Sequence, residues 1–166
     1  MREILIGPRQ ICRTLAGLLA VMPVLAWAAT ATVTVKVTVV APPPCVINGN
    51  RPIEVEFGDV MTTRVDGNNY KMPVNYTLSC TGSSSNAMKL QVKGTGAAFN
   101  ATVLLTNKAG LGIELRQGDT KLAVNRWLTF SYPNTPTLWA VPVKQAGATL
   151  TGGEFSAGAT MAVDYQ

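Results

Sequence analysis

No histidine occurs among the 166 residues. A Ser-His-Asp or Cys-His arrangement is therefore impossible. No serine stands three residues before a lysine, which removes the Ser-x-x-Lys nucleophile as well. Cysteine is scarce, with only Cys12, Cys45 and Cys80. Without imidazole, so few thiols cannot complete a zinc shell, and neither a metal nor another cofactor is expected. Charge is thin: Lys and Arg number 14, Asp and Glu 9, and they are scattered rather than clustered. The basic runs that grip nucleic acid are missing, so no nucleic-acid partner is expected. No segment keeps a helical apolar period over ten or more residues. An enzyme is not expected from this inventory.

Among the carboxylates, Glu54 and Glu56 share one face of an alternating segment, a spacing compatible in principle with paired-carboxylate glycosidase chemistry. Two solvated glutamates on the outer side of a strand are the simpler reading. Gly94-Thr95-Gly96 and Gly152-Gly153 lack the strand-to-helix setting of a phosphate loop and read as turns. Trp127, Trp139 and Tyr132 invite a second question, whether they form a carbohydrate platform or pack on the sheets.

Arg2, Arg9 and Arg13 make a basic start, followed by the uncharged and mostly apolar TLAGLLAVMPVLAWA at 14–28. About 15 residues at 1.5 Å each fall short of a bilayer core of roughly 30 Å. With small residues at Ala26 and Ala28, residues 1–28 read as a secretory signal peptide cut after Ala28. Losing three arginines and one glutamate takes the net charge from +5 to +3, so much of the basic character is targeting charge. Cys12 leaves with the signal. Cys45 and Cys80 then form an even pair in an exported chain, and a disulfide between them is expected.

Beyond residue 44 the chain is a series of short alternating segments separated by turn residues. They are IEVEF (53–57), MPVNYTLSC (72–80), MKLQVKG (88–94), TVLLT (102–106), LGIELRQ (111–117), RWLTFSY (126–132) and TLWAVPVK (137–144). Last comes EFSAGATMAVDYQ (154–166), with Phe155, Ala157, Ala159, Met161, Val163 and Tyr165 on one face. Period-two runs of this length, bounded by Asp-Gly, Gly-Asn and Pro-Asn turns, predict an all-β sandwich.

The most strand-like segment lies ahead of all these. In TVTVKVTVV (32–40), valine occupies positions 33, 35, 37 and 39, and APPPC (41–45) follows. Consecutive prolines favour extended polyproline geometry and bar normal strand continuation. Taken alone, the segment would serve as an edge strand of its own sheet. The proline spacer and the anchoring Cys45 favour an arm held away from its own domain. The expected organisation is thus a signal peptide (1–28), an arm with its spacer (29–44) and one domain (45–166).

Arm, first cysteine, Phe57-Gly58-Asp59-Val60, Cys80 closing a YTLxC strand, and a final strand with Gly153 fourteenth from the end and Tyr165 next to last occur in this order. This layout resembles the pilin subunits of chaperone–usher fimbriae such as type 1 and P pili, and among them the minor or adaptor subunits. The resemblance implies an immunoglobulin-like sandwich lacking its last strand. A periplasmic chaperone fills the gap first, and at the outer-membrane usher the arm of a neighbouring pilin subunit replaces the chaperone strand, an instance of strand addition. By the same resemblance, Val33, Val35, Val37 and Val39 are the donor side chains, while Thr32, Thr34, Lys36 and Thr38 face outward. Four buried valines at about 1.5–2 kcal/mol each suit a durable contact. Gly153, Phe155, Ala157, Ala159, Met161, Val163 and Tyr165 would line the receiving groove and meet the chaperone, which also anchors the carboxylate of Gln166. Many arms of the family carry glycine in mid-strand; here that position holds Val37. The implied destination is the cell-surface fimbrium, reached through the periplasm, with a role in adhesion. The competing reading is a self-contained secreted sandwich that binds carbohydrate.

Overall fold

The computed structural model describes residues 45–82 and 85–166. The signal peptide, the arm with its four valines, and the spacer lie outside the described residues.

Alternation produces the expected architecture. Among the described residues, eleven strands form three sheets, every pairing antiparallel. β1 (Cys45–Ile47) pairs with β3 (Leu78–Cys80). A six-stranded sheet runs β2 (Met72–Val74), β10 (Leu138–Lys144), β7 (Leu111–Gln117), β6 (Asn100–Leu105) and β5 (Gly96–Ala97), with β8 (Thr120–Leu122) also on β7. The third ladder is β11 (Thr160–Tyr165), β4 (Ala87–Lys93) and β9 (Trp127–Ser131). Helical structure among the described residues is limited to two short 3-10 turns.

The two larger sheets enclose one core. Leu90 and Val92 of β4 meet Leu104, Ile113, Leu115, Leu138 and Ala140 from the facing sheet. A satellite cluster of Val65, Leu111 and Leu150 lies beside it. Close packing explains one glycine in particular: a Cβ on Gly96 would stand 2.6 Å from the Ala101 carbonyl oxygen. Such a contact requires backbone movement.

The Cys45–Cys80 disulfide forms, with the two residues directly opposite in register and their Cα atoms 4.2 Å apart. Two expectations need amendment. MPVNYTLSC is not one strand: β2 joins the large sheet and β3 turns to β1. Tyr76, in the break, packs on the core and donates its hydroxyl to the Pro136 carbonyl at 2.6 Å. Burial pushes that phenol up to about 12. The change of sheet explains the break, since a strand crossing between layers must leave one ladder before joining another. The second amendment concerns IEVEF and the start of the closing strand, and it defines the site.

Candidate binding cleft

Residues 53–57 alternate as the sequence predicts: Ile53, Val55 and Phe57 are half-buried, whereas Glu54 and Glu56 are exposed. Yet this segment belongs to no ladder among the described residues. The closing strand behaves the same way in its first half. Its ladder with β4 begins only at Thr160, so residues 155–159 also lie outside every ladder. Extended backbone without a sheet partner is unusual beside an apolar core, because a β-ladder is what ordinarily satisfies such groups.

Between these two segments lies an open cleft of about 440 Å³. Val55, Phe57, Phe155, Ala157, Ala159 and Met161 form its sides. Its floor is the core itself, including Val92, Leu104, Ile113 and Leu138. At one end the sides meet, with the rings of Phe57 and Phe155 5.7 Å apart between centroids.

Of the residues singled out on the closing strand, four line this cleft: Phe155, Ala157, Ala159 and Met161. Val163 lies farther along the strand, opposite Leu90 in register and packed against the core. Tyr165 lies at the far end, its hydroxyl 3.3 Å from the Cys45 Sγ. Gln166 donates its backbone N–H to the Ala87 carbonyl at 3.1 Å and its side-chain amide to the Met88 carbonyl at 2.8 Å. Gly153 stands just before the cleft with φ of +106°, a conformation that favours glycine. The sequence reading did not identify Ile53–Phe57 as the opposite side. The matching apolar phase of Ile53, Val55 and Phe57 is the signal that marks them.

The aromatic residues are not brought together. Trp127 lies on the outer face of the three-stranded ladder with the Lys89 ammonium 5.1 Å from its ring. Trp139 lies on the outer face of the large sheet under Lys71 at 4.9 Å. Their positions on different sheets preclude a common platform. Glu54 and Glu56 are solvated, as the simpler reading holds.

One charged cluster is well shielded but sits on the large sheet's outer side, away from the cleft. Glu114 accepts from Arg116 and Lys121, each at 2.7 Å, and Arg116 also donates to the Gly67 carbonyl at 2.7 Å. Burial pushes the Glu114 carboxyl up, but the two cationic partners outweigh it and hold it below its ordinary range. The cluster fastens the 64–70 loop to β7.

Among the described residues, a two-layer sandwich whose core opens between two extended segments that join no ladder there is an immunoglobulin-like domain short of one strand. Residues 28–166 match the family of fimbrial proteins, and the chain belongs to that family. It is 47% identical over 136 residues to the fimbrial-like protein YfcR of Escherichia coli (strain K12), covering 79% of this chain and 78% of the relative. The fimbrial adapter PapF of Escherichia coli is 30% identical over 138 residues, covering 74% of this chain and 81% of PapF. The solved structure of the P pilus adaptor subunit PapF superposes with a TM-score of 0.57 at 29% identity, covering 76% of this chain and 98% of that one. The protein is thus a structural pilin subunit.

Proposed function

We propose that this chain is a minor or adaptor subunit of a chaperone–usher fimbria, assembled by donor-strand exchange. The cleft between Ile53–Phe57 and Phe155–Met161 is the observation that carries the proposal. A strand lying there would find apolar pockets for alternate side chains and unpaired backbone on both sides. In the periplasm a chaperone strand occupies it. At the usher, the arm of a neighbouring subunit takes its place.

The chain's own arm performs the reciprocal task. Val33, Val35, Val37 and Val39 fill the cleft of the next subunit, with the proline spacer projecting them from Cys45. Such a contact is heterologous and does not close, so it propagates as a fibre. The function is structural rather than enzymatic: the fibre is exported through the periplasm, stands on the cell surface and contributes to adhesion.

The test is a chain extended beyond Gln166 by a short linker and an alternating donor strand. It should be monomeric and unfold at a distinctly higher temperature than the natural chain. Equal thermal stability of the two would remove the case for a missing strand.

A further inference from the structure

The aromatic end of the cleft is held by residues outside it. Lys108 points its ammonium at three consecutive carbonyl oxygens, those of Thr151 at 3.2 Å, Gly152 at 2.7 Å and Gly153 at 3.0 Å. An ammonium has three donors, and here each has an acceptor. Asn107 exchanges two bonds with Ser156: its backbone N–H donates to the Ser156 carbonyl at 3.1 Å, and its side-chain oxygen accepts from the Ser156 N–H at 2.9 Å. Phe155 lies between these two fastenings.

The fastening rests on a stiff base. Thr106 is buried, donates its hydroxyl toward the Lys108 and Leu111 carbonyls at 3.0 and 2.8 Å, and accepts from the Lys108 N–H at 3.1 Å. The strap it holds is flexible by composition, with Gly152-Gly153 before Phe155 and Ser-Ala-Gly-Ala after it. Phe155 packs against both the main core and the satellite cluster. Behind it is a small cavity of about 50 Å³ bordered by Val60, Val65, Leu111 and Leu150. The cavity leaves space on that side of the ring.

We propose that Lys108 and Asn107 are positioning residues, a latch that holds Phe155 against Phe57 and keeps this end of the cleft narrow. Release of the latch lets Phe155 settle back toward the satellite cluster and admits a bulky side chain there. The latch touches no part of the incoming strand. It governs how fast a strand seats, and how strongly a small residue at that end is favoured over a large one. The inference rests on the reading of the cleft as a strand acceptor.

The probes are fluorescein-labelled peptides of residues 31–40, one natural and two carrying glycine at Val33 or Val39, so that one glycine faces the aromatic end in either strand direction. Association with the purified full chain is followed by anisotropy. Lys108→Met keeps the aliphatic stem and loses three charge-assisted bonds. It should speed the natural peptide by roughly tenfold, the equivalent of about one such bond's net worth. The favoured glycine peptide should gain much less, so that discrimination shrinks. Asn107→Ala should act in the same direction, and Lys108→Arg should retain the natural rate. General loosening would accelerate all peptides alike, and that result overturns the latch. So do unchanged rates in both Lys108→Met and Asn107→Ala while the peptides still bind. If no peptide binds the natural chain, the latch falls; the strand-acceptor reading falls with it only if the C-terminal donor-strand extension also leaves the chain's stability unchanged.

Discussion

The Sγ of Cys45 lies 3.3 Å from the hydroxyl of Tyr165, joining β1 to the end of the closing strand. Phe57 and Phe155 meet at the start of the closing segment, where residues 53–57 approach it. The closing segment thus differs at its two ends, one beside the disulfide and one packed on an aromatic ring. That polarity suits a head-to-tail fibre.

Disulfide removal tests the first end. Cys45 and Cys80 are separated by 35 positions. Closing such a loop contributes about 3–4 kcal/mol on the chain-entropy account. Reduction, or Cys80→Ser, should lower the urea midpoint by a corresponding amount. An unchanged midpoint would show that the β1–β3 ladder holds itself.

Replacing Val35 and Val37 by aspartate tests the arm. The double variant should fold and bind a chaperone as the natural chain does, yet fail to insert into a neighbouring subunit. Co-purification with the chaperone, followed by an exchange assay read on a native gel, separates the two steps. Failure to fold would place the arm in its own sheet.

Glu114 makes stability depend on pH. Its folded carboxyl is held below the ordinary range, so its contribution is present above the unfolded value near 4.3 and fades as pH falls through the folded value. Glu114→Gln should cost on the order of 3 kcal/mol at pH 7, because Arg116 is left shielded without its partner. The deficit should narrow as the pH falls through the lowered folded value, below which both chains carry a neutral side chain. Denaturant titrations at pH 7 and pH 3 provide the comparison.

Two glycines should respond unequally to alanine. Gly96→Ala drives a Cβ against the Ala101 backbone and should cost about 1–3 kcal/mol. Gly152→Ala meets nothing within 4 Å and should change stability by about 0.5 kcal/mol or less. Thermal melts of the two single variants suffice. Equal losses would mean that the close approach at Gly96 is not what requires glycine.

Much of this was legible in the residues. Leu90, Val92, Ile113, Leu115, Leu138 and Ala140 announce their burial by period-two spacing, and the structure buries them. Cys45 and Cys80 stood out by elimination. Less legible were the division of MPVNYTLSC between two ladders and the role of Lys108, whose acceptors lie more than forty positions away. Neither leaves a local periodic trace, because each depends on which distant segments happen to be neighbours.

Local alternation by itself determined that the domain is a β-sandwich and where its apolar faces lie. Only the tertiary structure decided that Ile53–Phe57 and the first half of the closing strand face each other, with no strand of the described residues between them. The physical reason is that side-chain periodicity specifies which face of a strand seeks burial, whereas hydrogen-bond pairing is settled by the chain segments that fold alongside it.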